Sequence, residues 1–152
     1  MRVSVIGGSS IDDETAEVAR EVGRLLGERG HTLVCGGLGG VMAPACEGGS
    51  DYDAETIGIL PTDRRADANE WVTTPIATGL GNARNPLVVL NGDAVIAIDG
   101  AAGTLSELGH ALDYHRPVAG LDTHGVDLEG FRAVESPRAA VEFVEARVGD
   151  GG

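Results

Sequence analysis

Lysine is missing altogether from the 152-residue sequence, and only 11 arginines stand against 24 aspartates and glutamates. The formal net charge of −13 repels nucleic acid and anionic membranes at long range, so neither is expected as a partner. Aromatic residues are scarce, at 3%, and the core must be built from Val, Leu, Ile and Ala. Only Cys35 and Cys46 supply thiols, and they form neither a CxxC pair nor part of a Cys/His ligand cluster. The four histidines lack any HExxH-type spacing, and His110 and His115, five apart, fall off a common helical face. No metal site is expected. No apolar run is long enough to span a bilayer, and residues 1–6 read as a strand and not as a signal peptide. The expectation is a soluble cytoplasmic protein with reduced thiols. A lysine-free acidic skin also fits a halophilic, salt-rich cytoplasm, where screening makes such a surface tolerable.

Glycine, by contrast, is abundant, at 24 residues, about twice the usual share. The glycines fall at discrete points between short apolar runs and amphipathic stretches. Strands are predicted over residues 2–6, 31–35, 56–60, 74–77, 94–98 and 118–121. Helices are predicted over 12–28, from the glycine cluster at 36–40 through 45, and over 81–90, 103–114 and 137–148. Residues 62–70 are polar and without a period, and read as a loop. Strand and helix alternate without hairpin dipeptides. That pattern predicts an α/β fold: a single doubly wound, Rossmann-like parallel sheet flanked by helices on both faces. Residues 1–148 form one domain in this reading, and 149–152 form a tail expected to fray.

Three glycine-rich turns follow predicted strands and open predicted helices: Gly7-Gly8-Ser9-Ser10, Gly36-Gly37-Leu38-Gly39-Gly40, and Gly100-Ala101-Ala102-Gly103-Thr104. In a parallel sheet all three lie at the carboxyl edge, where doubly wound folds bind ligands. Glycine lets the backbone approach an oxyanion, and a helix start offers unpaired N–H donors. Each turn alone could merely serve a tight connection. Three at equivalent positions point to a phosphate-bearing ligand, with Gly8, Ser9, Gly36, Gly37, Gly39, Gly40, Gly100, Gly103 and Thr104 as candidate contacts. No Walker A loop is present, and no acid ends the second strand to hold a dinucleotide ribose.

The run Cys35-Gly36-Gly37-Leu38-Gly39-Gly40-Val41-Met42 resembles the GGGxxGxM element of the LOG-like superfamily. The run Asp99-Gly100-Ala101-Ala102-Gly103-Thr104-Leu105-Ser106-Glu107 resembles its PGGxGTxxE element. That superfamily includes nucleoside-monophosphate phosphoribohydrolases and molybdenum-cofactor carrier proteins. The segments Gly79-Leu80-Gly81-Asn82-Ala83-Arg84-Asn85 and Ile57-Gly58-Ile59-Leu60-Pro61 look closer to the carrier-like branch. The resemblance runs from Arg2 to about Leu121. It implies that Gly103 and Thr104 cradle a phosphate and that Arg84 and Glu107 are the catalytic pair of any N-glycosidic hydrolysis. It implies no required cofactor, a nucleotide or molybdenum cofactor as bound ligand, and a homo-oligomer.

The sequence departs from the two motifs at Cys35, Asp99 and Ala101, which stand for glycine, proline and glycine. A positive φ at Ala101 would be strained, and Asp99 adds negative charge at the strand end. Carrier- or sensor-like binding is therefore the first expectation, and hydrolysis of a nucleoside 5′-monophosphate the alternative. Asn69 and Trp71 are candidates for a ligand rim, and His110 and His115 for packing or solvation.

Overall fold

Along the first strand, β1 (Arg2–Gly7), alternate residues part company: Val3 and Val5 join one buried apolar cluster and Ile6 joins another. That division, repeated strand by strand, makes a sheet covered on both faces. The computed structural model describes residues 1–151. Its remaining strands are β2 (Thr32–Cys35), β3 (Thr56–Leu60), β4 (Thr74–Ala77), β5 (Ala94–Ile98), β6 (Val118–Leu121) and β7 (Phe131–Ala133). They form one seven-stranded sheet in the order β4-β3-β2-β1-β5-β6-β7, with every pairing parallel. β3, β5 and β6 are buried along their whole length, as expected of strands with helices on either side.

Helices α1 (Asp13–Glu28), α2 (Met42–Ser50) and α5 (Pro137–Gly151) cover one face, through Val22, Leu25, Leu26, Ala45 and Val141 among others. Helices α3 (Asn85–Leu90) and α4 (Ala102–Asp113) cover the other, through Val88, Val89, Leu108 and Ala111. One polar side chain lies under α3: Ser4 is fully buried and its Oγ donates to the Val88 carbonyl at 2.7 Å. No helix among the described residues is long and apolar enough to cross a membrane.

The chain fills the sheet from β1 outward to β4, returns, and fills the other half from β5 to β7. The reversal falls between β1 and β5, so their carboxyl ends diverge into a crevice. The doubly wound parallel sheet expected from the alternation is present, with four refinements. β7, at one edge, lies in a stretch that carried no strand signal. α2 runs five residues past Ala45, and 65–67 form a short 3₁₀ turn inside the expected loop. α5 continues past Val148 to Gly151, and Gly152, the end of the tail expected to fray, lies outside the described residues.

Candidate functional site

The three glycine-rich turns meet at the carboxyl edge, but they do not offer equal donors. The start of α1 is closed by its own acids: Asp12 Oδ1 accepts from the Thr15 amide at 2.8 Å, and Asp13 and Glu14 occupy the first turn. Ahead of α2 the donors are used internally, since the Val41 amide donates to the Gly8 carbonyl at 3.1 Å and the Met42 amide to the Gly39 carbonyl at 3.1 Å. The start of α4 differs. Its N-cap position is Ala101, no side chain caps it, and no acid lies in its first turn. The unpaired amides there and the positive end of the helix dipole form the one open anion-binding feature of the three turns.

A cavity of about 260 Å³ opens beside it, between the ends of β1 and β5. Gly8, Ser9 and Gly36 line one side, Gly103, Thr104 and Glu107 another, and Arg84, Asn82 and Asn85 a third. Arg84 is only 7% exposed. It ends a 3₁₀ turn, 81–84, that leads directly into α3. Its Nε donates to the Ile59 carbonyl at 2.9 Å and one Nη to the Gly36 carbonyl at 3.3 Å, while the other pairs with Asn85 Oδ1. The guanidinium is thus a rigid fixture bridging β3 and the glycine loop. It keeps two N–H donors beyond those three bonds. Burial lowers its pKa, and the negative charges of Glu107 and Cys35 oppose that effect.

Glu107 lies one turn into α4, half-buried and facing the same cavity. Desolvation pushes its pKa up to about 7, and only the nearby charge of Arg84 works against that rise. No ion pair links Arg84 to Glu107 among the described residues. A carboxyl that is half-ionised near neutrality, facing uncapped amides and a fixed guanidinium, can tolerate an anion when protonated. When ionised, it can stabilise positive charge.

Of the residues expected to touch a ligand, Gly8, Ser9, Gly36, Arg84, Gly103, Thr104 and Glu107 converge on this cavity. Gly37, Gly39, Gly40 and Gly100 fall outside its lining. Gly40 has φ +62, and a Cβ there would lie 2.1 Å from the Gly8 carbonyl oxygen, so its role is to let two turns pack together. At the degenerate motif, the left-handed backbone falls on Asp99 (φ 56) and Gly100 (φ 123), whereas Ala101 is extended at φ −128. Alanine at position 101 therefore carries none of the strain that a positive φ would impose. Asp99 is not in the cavity's lining and borders a second, acidic hollow with Asp12, Glu14 and Asp122, but its carboxylate stands close behind Gly8, where a Cβ would lie 3.0 Å from Asp99 Oδ2.

Asn69 and Trp71 are not on the rim. Asn69 clasps the glycine loop: its Nδ2 donates to the Leu38 carbonyl at 2.9 Å and its amide to the Gly37 carbonyl at 2.9 Å. Trp71 is partly buried against the core cluster to which α1, α2 and α5 contribute. Asn82 and Asn85 line the cavity without having been singled out individually. Their only sequence signal is the glycine-flanked turn that also carries Arg84. Among the described residues, no group of three or more His, Cys, Asp or Glu could hold a metal ion.

With this geometry in view, the comparisons with known proteins agree on one lineage. The SLOG cluster4 family model matches residues 1–146. A protein of Archaeoglobus fulgidus is 40% identical over 144 residues, covering 94% of this chain and 93% of its own. A probable cytokinin riboside 5′-monophosphate phosphoribohydrolase of Oryza sativa subsp. japonica is 32% identical over 82% of this chain, which spans 55% of that protein's length. Among solved structures, the molybdenum cofactor binding protein of Rippkaea orientalis superposes with a TM-score of 0.89 at 32% identity, covering 97% of this chain and 96% of its own.

Proposed function

The chain belongs to the SLOG cluster4 family, and from that premise we propose that it binds a phosphate-bearing small molecule at the carboxyl edge of its sheet. The role is carrier- or sensor-like, with a nucleotide or a molybdopterin-type cofactor as cargo. The observation that carries this reading is the uncapped, acid-free start of α4 opening into the cavity of Arg84 and Glu107. A terminal phosphate would sit on the amides of Gly103 and Thr104. The amides of Asn82 and Asn85 line the same cavity and can hydrogen-bond the polar edge of a heterocycle, which purines and pterins share. In a chain without lysine, backbone donors and one arginine are the means at hand. The likeness to the Rippkaea protein supports the carrier reading. The same reading places the protein in the cytoplasm as a homo-oligomer.

A second reading is favoured by Glu107 itself. Hydrolysis of a nucleoside 5′-monophosphate adds water at the anomeric carbon, while the base leaves with the bonding electrons and takes up a proton. The passage is oxocarbenium-like, and an ionised carboxylate facing the sugar stabilises it or orients the water. The rice relative's name points the same way.

The two readings separate by pH. Binding of an anion favours neutral Glu107, so affinity falls as pH rises through about 7. Hydrolysis uses the carboxylate, so turnover rises over the same range. The test is incubation with a panel of nucleoside monophosphates, measuring free base and thermal stabilisation, with Glu107→Ala as control. Stabilisation without base release is the expected result. Base release that vanishes in Glu107→Ala establishes the hydrolase instead, and neither effect with any phosphate ligand refutes the binding site.

A further inference from the structure

Two buried nucleophiles have no part in the site as described. Cys35 closes β2 and Cys46 lies in the middle of α2; both are fully buried, and their Sγ atoms are 3.6 Å apart. Cys35 is also wired to the glycine loop. Its Sγ accepts the Gly37 amide at 3.3 Å, and the intervening Gly36 carbonyl accepts from Arg84 at 3.3 Å. There is no slack along this path. A Cβ on Gly36 would lie 2.5 Å from Arg84 Nη2 and 2.8 Å from Met42 Sδ. On the other side, α2 is locked to α1 by backbone approach: a Cβ on Gly23 would meet the Ala45 carbonyl at 1.8 Å, and one on Gly48 the Arg20 carbonyl at 2.0 Å.

We propose that Cys35 and Cys46 are a reversible oxidation site, closing to a disulfide that pulls the strand tip and the Arg84 seat out of their ligand-ready arrangement. The effect on ligand rests on the reading of the cavity as a binding site. A disulfide brings the sulfurs to about 2.05 Å, about 1.5 Å closer than they stand. Because α2 is held by the glycine contacts to α1, the Cys35 end yields, taking Gly36 and Gly37 with it.

The roles of the two sulfurs differ. The hydrogen bond from Cys46 holds the Cys35 thiol below its ordinary pKa against the effect of burial, with help from the Gly37 amide and the charge of Arg84; Cys46 is pushed up. Cys35 is thus the attacking sulfur and Cys46 the one that keeps its proton. The oxidant is a small peroxide; neither cysteine is in the cavity's lining, so it must pass the wall that Gly36 and Met42 form to reach Cys35. The Cys35 thiolate attacks a peroxide oxygen, the O–O bond breaks, and hydroxide leaves a sulfenic acid. The Cys46 sulfur then attacks the sulfenic sulfur, forming the S–S bond; the sulfenic hydroxyl leaves as water with the Cys46 proton. Two thiols lose two electrons, and hydrogen peroxide becomes two waters.

The test treats the full ligand-free chain with hydrogen peroxide and reads intact mass, thiol titration after denaturation, and amide exchange at residues 36–40. AMP affinity is then measured for the oxidised and reduced forms. The expected result is a mass loss of about 2 Da with both thiols blocked, faster exchange at 36–40, and AMP affinity about tenfold lower. A thiol reductant restores all three, and Cys46→Ala shows no mass loss. Oxygen addition without thiol pairing, a disulfide between chains, or pairing that leaves exchange at 36–40 unchanged overturns the proposal. If the reduced protein fails to bind AMP or any phosphate ligand, it is the cavity's function that fails. Mass and exchange still decide the thiol chemistry.

Discussion

Replacing Glu107 by glutamine keeps the size and hydrogen-bonding capacity of the side chain and removes its titration. The carboxyl titrates at about 7 in the folded protein against an ordinary 4.5, because burial opposes its charge and Arg84 only partly restores it. Between those two values the folded chain holds more protons than the unfolded one. Stability therefore falls as pH rises through this window and levels off above the folded pKa. The whole span is worth about 3 kcal/mol, of which about 2 kcal/mol falls between about pH 5.5 and 8.5. Urea unfolding of the wild type and Glu107→Gln at the two pH values isolates the term, since other titrating groups cancel in the difference. Glu107→Gln is expected to gain about 2 kcal/mol on the wild type across the interval. A difference between the two proteins that does not change with pH would mean that Glu107 is solvated like a surface acid, and the electrostatics assigned to the cavity would be wrong.

Other perturbations read other parts of the fold. Gly40→Ala forces a Cβ to 2.1 Å from the Gly8 carbonyl oxygen at φ +62 and should cost at least about 2 kcal/mol. Gly39→Ala meets nothing within 4 Å and should stay within about 0.5 kcal/mol in thermal or urea unfolding. Arg84→Lys removes the planar fork that serves the Ile59 and Gly36 carbonyls together. The loss is expected to be about 2 kcal/mol of stability, and any nucleotide-dependent rise in Tm should go with it. Raising KCl from about 0.1 to 2 M should raise Tm by several degrees by screening a net charge of −13. A flat or falling Tm would remove the halophilic reading.

The fold was legible because buried parallel strands advertise themselves: 94–98 is apolar at every position and is buried at every position. β7 was invisible for the opposite reason, being a three-residue edge strand whose Arg132 and Ala133 are exposed. The last turn of α2 contains Gly48 and Gly49, residues of low helix propensity that give no local signal for continuing past 45. Gly48 is there because α1 passes too close for any side chain, a tertiary demand with no local signature.

At the site, the motif resemblance brought Arg84 and Glu107 forward, and both line one cavity. It gave no hint that two of the arginine's donors serve backbone carbonyls, because those acceptors, Ile59 and Gly36, are far away in sequence. Strain at Ala101 was a reasonable fear from the motif, yet the left-handed turn sits one and two residues earlier. Asn69 could not be distinguished from a rim residue, since the loop it clasps lies 31 residues back.

The central claim is that an oxyanion docks on the open start of α4 and not on the starts of α1 or α2. Titrating AMP into the isotope-labelled protein while following backbone amide shifts tests it residue by residue. The account predicts concerted, saturable shifts at Gly103 and Thr104, with smaller ones at Gly8 and Ser9, while Glu14 and Thr15 at the acid-capped start of α1 hold still. Saturating shifts elsewhere, with Gly103 and Thr104 unmoved, would contradict it.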